Sequence, residues 1–287
     1  MKNKLKQTQD TIHCWVEAWG GPENVYVAFS GGKDSTVLLH IARTLYPNIV
    51  AVFSNTGLEF PEIIKFVRTF DNIVELRPRI PFHKVIERYG WPVVSKSVSM
   101  AISRYRNTKD PAVKQYRKHG RTVGGKKYTA GTIPKKWWYL IDSEFKISEQ
   151  CCTHLKKNPF TSFERRTGLK PMLGIMASDS NMRLRDINSR GCNVYDTKKP
   201  QSRPLAHWSE KDIYDYIKEF DIPICSVYSL GYQRTGCVFC MYGLYQEQEK
   251  AGINRFQLMK KTHPQLYNYC INKLGAKEVL DFMKIPY

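Results

Sequence analysis

The stretch VAFSGGKDSTVLL at 27–39 constrains the fold of this chain more than any other. An apolar run breaks into two glycines, a lysine, an aspartate and hydroxyl residues, then turns apolar again. That pattern suits a junction where a buried strand hands over to a helix, whose N-terminus aims unpaired N–H groups and partial positive charge at one point. Gly31 and Gly32 let backbone amides approach an anion closely. Lys33 adds a mobile positive charge, and Ser30, Ser35 and Thr36 add hydroxyl donors. The residues describe a phosphate cradle, with a plain glycine-serine turn as the bland alternative. The G-x-x-x-x-G-K-[ST] loop of the common NTPases cannot be fitted to SGGKDST.

The flanking sequence alternates. Residues 25–30 read as a strand, and apolar positions 37–39, 41, 42 and 45 support a helix ending near Pro47. A strand at 49–54, a helix at 61–70, a strand at 73–77 and a helix at 82–89 follow. Further on come a strand at 171–176 and a helix at 209–220 capped by Ser209. This order predicts an α/β fold, a doubly wound and mostly parallel sheet with right-handed crossovers. Two parts stand outside it. Residues 101–140 read as a basic insertion, with eleven Lys or Arg against one Asp and Tyr105, Tyr116, Tyr128, Trp137, Trp138 and Tyr139 interleaved. Residues 246–287 read as a helical C-terminal tail behind a 1–245 domain.

The formal charge of +19 favours an anionic partner. No apolar run approaches the roughly 18 residues needed to span a bilayer, and the opening MKNKLKQTQD is too polar for a secretory signal. The expectation is a cytoplasmic protein with no membrane partner. In such a reducing setting the eight cysteines favour metal or catalytic use over a disulfide framework.

SGGKDS resembles the S-G-G-x-D-S signature of the PP-loop ATP pyrophosphatases, Rossmann-like enzymes that cut ATP between its α and β phosphates and commonly adenylylate an acceptor. The resemblance implies ATP and Mg2+ as ligands, with Asp34 beside the metal and pyrophosphate and Lys33 and Asp34 as the catalytic pair. NTGLEFPE at 55–62 is similar to the D-T-G-x-x-F-P-E segment of the phosphoadenylyl-sulfate (PAPS/APS) reductase branch, departing at Asn55. It implies that Thr56 and Gly57 line the nucleotide site, at the carboxyl end of a strand. GIMASDSNMR at 174–183 resembles the family's glycine-containing strand with a trailing arginine, adding Gly174 and Arg183. The segment from Arg203 to Cys240 is similar to the family pattern over nearly its whole length.

Cys151 and Cys152 are adjacent, and Cys237 with Cys240 form a C-x-x-C. The adenylyl-sulfate reductases of this family bind a [4Fe-4S] cluster with such a set, and thiolates are the usual ligands. Zinc and ordinary buried thiols are the alternatives. His154 and Lys156 follow the pair and offer hydrogen bonds to sulfur or an anion, or are simply solvated.

The assimilatory reductases carry their nucleophile in an E-C-G-L-H motif, which DFMKIPY and the YNYCINKLG around Cys270 do not match. Those reductases bind a preformed nucleotide and typically lack the complete loop, which is intact here. The resemblance therefore points to ATP-dependent sulfur insertion into an acceptor, as in the DNA-phosphorothioation and tRNA-thiolation branches. Sulfur would come from a donor such as a cysteine desulfurase. Cations and aromatic rings in 101–140 suit nucleic acid, tRNA or DNA, as that acceptor, although a solvated hairpin or a protein-docking surface has the same composition. Reduction of an adenylyl sulfate through another cysteine such as Cys270 is the second reading, and a non-catalytic nucleic-acid-binding protein the third. No role attaches to Cys14, Cys192 or Cys225.

Overall fold

Strands β1 (Val25–Ala28), β2 (Val50–Ser54), β3 (Ile73–Leu76), β4 (Lys170–Leu173), β5 (Asn193–Val194) and β6 (Gln201–Ser202) form one sheet in the order β3-β2-β1-β4-β6-β5. All neighbours are parallel except β5 and β6. The doubly wound expectation is met, and the strand order reverses beside β1, where such sheets open a crevice at their carboxyl ends. This computed structural model describes residues 2–287. It comprises two units: Met1–Asn55, Glu59–Arg77 and Asn158–Thr235 in the first, and Thr56–Leu58, Pro78–Lys157 and Gly236–Tyr287 in the second.

In the first unit the side chains of β1 alternate between two buried faces. Tyr26 joins Val52, Leu76 and Phe163 on one face, meets the Phe163 ring edge-on at 5.5 Å, and donates its hydroxyl to Glu164 Oε1 at 2.8 Å. The helix Lys33–Leu45 buries Val37, Leu38, Leu39, Ile41 and Ala42, and the helix Lys2–Ala18 buries Ile12, Trp15 and Val16. Each such side chain contributes about 1.5–3 kcal/mol when fully removed from water. The helix Glu210–Glu219 starts on the expected cap: Ser209 Oγ accepts from the Asp212 amide at 3.3 Å and the Asp212 carboxylate accepts from the Ser209 amide at 2.7 Å.

Two boundaries differ from the sequence reading. The helix beginning at Pro61 ends at Val67 rather than residue 70, because Thr69 and Phe70 donate to carbonyls three residues back and Asn72 takes a left-handed φ of 52°. The strand expected at 171–176 leaves the sheet after Leu173, where Gly174 runs against the backbone of Asp34 and Ser35.

The second unit is mostly helical around a short parallel pair, Val93–Val94 with Met241–Tyr242. Ser95 caps the helix Lys96–Asn107 and Asp110 caps Pro111–His119. An antiparallel hairpin follows, Arg121–Val123 with Lys126–Tyr128, turned by Gly124 and Gly125 at φ 55° and 76°. The basic stretch is thus two helices, a hairpin and the 3-10 segment Lys135–Asp142, the first helix starting ahead of residue 101. The tail is helical as expected, with helices Leu244–Ala251, Arg255–Thr262, Pro264–Asn268 and Ala276–Phe282. No helix among the described residues is long and apolar enough to cross a membrane.

Candidate functional site

The loop after β1 lies at the carboxyl end of the sheet, and its conformation explains its residues. Gly31 takes φ 72°, and a Cβ there would meet Val67 Cγ2 at 2.9 Å. A Cβ on Gly32 would fall 2.6 Å from Thr235 Oγ1 and 3.4 Å from Tyr228 Oη. A Cβ on Gly174 would come within 3.3 Å of the Asp34 carbonyl. A side chain at Gly31 or Gly32 would collide with its neighbours, and one at Gly174 would crowd the Asp34 and Ser35 backbone.

The hydroxyls hold the loop in shape. Ser35 Oγ donates to Gly32 O at 2.9 Å and accepts from the Ser30 amide at 3.2 Å. Thr36 Oγ1 donates to Gly32 O at 3.0 Å, and Ser30 Oγ accepts from the Gly32 amide at 3.3 Å. Ser35 and Thr36 are buried, and their hydroxyls bond the loop's own backbone.

Lys33 and Asp34 supply the charges. Lys33 Nζ lies 3.4 Å from Asp34 Oδ1 and 3.1 Å from Glu210 Oε1, with the rings of Tyr214 and Tyr228 at 5.7 and 5.9 Å. Burial lowers the Lys33 pKa, but Asp34 and Glu210 outweigh it and hold the ammonium above its usual value. Burial pushes the Asp34 carboxyl up despite Lys33. Asp34 Oδ1 is enclosed, with the Lys33 ammonium 3.4 Å away, and a hard cation such as Mg2+ takes carboxylate oxygens. The residues present fit that metal. Arg183 sits in the first turn of the helix Asn181–Arg190, ion-paired with Asp179 and partly exposed.

Sequence reasoning missed Tyr228. Its hydroxyl accepts from the Lys33 amide at 2.9 Å across 195 residues of chain, a separation at which spacing carries no signal. It missed Glu210 and Tyr214 for the same reason. Thr56 and Gly57 belong to the second unit. There the buried Thr56 Oγ1 accepts from the Leu58 amide at 3.2 Å, and Gly57 takes φ 76° with open space around its Cα.

The four cysteines of the C-C and C-x-x-C pairs come together in the second unit, lining one small pocket with Leu58, Phe82 and Lys156. Cys151 and Cys152 lie on the turn Gln150–Cys152, which runs into the π-helical turn Thr153–Lys157. Such insertions are frequent at functional sites. Their sulfurs are 4.0 Å apart. The Cys240 amide donates to Cys237 O at 3.1 Å, closing the other pair into a turn ahead of Met241–Tyr242. The adjacent thiols share one charge: the Cys151 hydrogen bond, with Lys96, Lys156 and Lys157, brings Cys152 down to about 6 while Cys151 is pushed up. Burial pushes Cys240 up to about 11.

Four soft thiol donors in an apolar pocket fit an iron–sulfur cluster in chemistry. The pocket they line has a volume of about 20 Å³. Among the described residues no three Cys, His, Asp or Glu side chains stand close enough to grip a single ion. His154 stacks on Tyr89 at 4.4 Å. The other cysteines lie elsewhere: Cys14 is exposed, Cys225 and Cys270 are buried, and Cys192 Sγ is 3.5 Å from His207 Nε2.

The sequence profile of the phosphoadenosine phosphosulfate reductase domain matches residues 24–242. An uncharacterized protein of Methanocaldococcus jannaschii is 22% identical over 255 residues, 87% of this chain and 47% of that protein. The chain thus spans about half the length of that relative. The adenosine 5'-phosphosulfate reductase of Geobacillus kaustophilus is 24% identical over 244 residues, 83% of this chain and 80% of that one. The solved phosphoadenylyl-sulfate reductase of Candida auris, a phosphate complex, superposes with a TM-score of 0.46 at 14% identity, covering 80% of this chain and 87% of that one. With most of its length inside the matched region, the chain belongs to the phosphoadenosine phosphosulfate reductase domain family.

Proposed function

We propose that this chain is an ATP-dependent sulfurtransferase: it cleaves ATP between the α and β phosphates, adenylylates an acceptor, and lets sulfur replace the activated oxygen. The observation that supports this best is the intact loop, in which glycine backbone at a helix N-terminus, the Lys33 ammonium and the enclosed Asp34 carboxylate stand together. Amides at a helix N-terminus take phosphate oxygens. Lys33 neutralises charge that builds on the leaving pyrophosphate, and Asp34 would hold the metal, which would supply further positive charge there.

The acceptor oxygen attacks the α phosphorus, the bond to the bridging oxygen breaks, and pyrophosphate leaves. A sulfide-level nucleophile then bonds to the acceptor as the activated oxygen departs with AMP. When the sulfur arrives as a persulfide from a donor such as a cysteine desulfurase, a dithiol reductant closes the balance. Cys151, Cys152, Cys237 and Cys240 hold the [4Fe-4S] cluster in this reading, and bound there it supplies soft iron for sulfur chemistry. Nucleic acid is the acceptor, on the basis of the cations and aromatic rings of 101–140.

The reductase reading needs an accessible nucleophile, and Cys270 does not offer one. It is fully buried, and burial pushes its thiol up. The test is anaerobic incubation with ATP and Mg2+, with and without RNA or DNA, and separately with adenylyl sulfates and thioredoxin. AMP and pyrophosphate formed with nucleic acid are the expected products. Sulfite release would favour reduction, and silence in both arms a binding protein.

A further inference from the structure

The second unit holds a cavity of about 750 Å³ that the cysteine pocket does not use. Its volume falls in the range of about 300–1,000 Å³ that takes small ligands and their equivalents in larger ones. Lys118, Lys127, Lys135 and Lys136 line it together with His119, and no acidic side chain does. Trp137, Trp138 and Tyr245 complete it. Lys118 Nζ stands 4.9 Å from the Trp138 ring and Lys136 Nζ 4.6 Å from that of Tyr245. Trp138 is fixed by donating Nε1–H to Ile133 O at 2.9 Å, and Trp137 by its edge-on contact with Tyr245 at 5.2 Å. Val94, also in the lining, takes φ 60°, a conformation that costs a β-branched residue energy and that clusters at ligand sites.

We infer that this cavity binds one unstacked nucleotide of single-stranded nucleic acid, with its base against the indole of Trp138 and its flanking phosphates on Lys118, Lys127 and Lys136. Ring faces paired with unopposed ammonium groups are the chemistry of sequence-tolerant single-strand binding. An acidic peptide would use the cations and leave the rings idle. The inference rests on the nucleic-acid acceptor proposed above and gives that acceptor a place and a strand state.

The test measures fluorescence anisotropy of a short labelled oligonucleotide without ATP, as single-stranded RNA, single-stranded DNA and duplex. ATP cleavage is assayed separately, so failure to bind and failure to cleave are independent results. One or both single strands bind, and the duplex binds at least tenfold more weakly. Trp138→Ala weakens single-strand binding roughly tenfold. The double variant Lys118→Glu, Lys136→Glu lowers the slope of log affinity against log salt by roughly 0.7 for each lysine removed. If Trp138→Ala does not fold, the double variant decides, since it leaves both rings in place. Unchanged affinity and slope in a folded double variant, equal binding of duplex, or equal displacement by polyglutamate of the same charge overturns the inference.

Discussion

The Tyr228 hydroxyl takes the place of an anion at the Lys33 amide, accepting its hydrogen bond at 2.9 Å. Lys33 is the first residue of its helix, so this N–H has no intrahelical partner and is one a phosphate oxygen would use. In the proposed function a phosphate oxygen takes that N–H and displaces the phenol. Tyr228→Phe is therefore expected to tighten ATP binding roughly two- to tenfold, the worth of one exchanged hydrogen bond. Calorimetric titration checks it, and weaker binding would show that Tyr228 also contacts the bound nucleotide.

Gly31 and Gly124 both have positive φ, 72° and 55°, but only Gly31 has neighbours where a side chain would go. Gly31→Ala meets Val67 and Ile63 as well as the backbone penalty of roughly 1–2 kcal/mol. Gly124→Ala meets only the latter. Denaturant unfolding should rank Gly31→Ala as clearly less stable, and equal losses would contradict the packing described for the loop.

Anaerobically reconstituted protein is expected to show visible absorbance that bleaches with dithionite, and iron in excess of zinc. Cys152→Ser and Cys240→Ser each remove most of it, because one thiolate from either pair is then missing. Zinc without visible absorbance, lost in the same variants, would identify the alternative metal.

Asp212 carries a pH signature unconnected with chemistry. Burial raises its carboxyl, but Lys4 at 2.7 Å and Ser209 outweigh this and hold it down at about 2. An unfolded aspartate titrates near 3.9. Its contribution is thus fully present above about pH 4 and lost as pH falls through about 2. Asp212→Asn should cost about 1 kcal/mol at neutral pH, and the difference from wild type should shrink below pH 4. A constant difference would contradict the depressed pKa.

Local pattern carried much of this architecture. The break from VYVAF into SGGKDS announced β1, the loop and the helix, because a buried strand and a helix N-terminus impose different residue types within a few positions. Ser209 announced its helix through the same capping chemistry the structure shows. The pairing of Cys151 and Cys152 with Cys237 and Cys240 came from resemblance, and one pocket does hold all four. Tyr228 and Glu210 were invisible because they reach Lys33 through the tertiary fold, from positions whose neighbours in sequence say nothing about it. The basic stretch hid its structure differently. Charge and aromatic content marked 101–140, while the caps Ser95 and Asp110 that set its helices lie outside or between the features that drew attention.

In the proposed function the loop between Ser30 and Thr36 positions ATP for cleavage at its α phosphorus, with Asp34 holding the metal. Pyrophosphate release from ATP by wild type and Asp34→Asn, with Mg2+ and single-stranded nucleic acid, tests it directly. Wild type is expected to release pyrophosphate, with a loss of at least about a hundredfold in the variant. Equal release by the two proteins would contradict it.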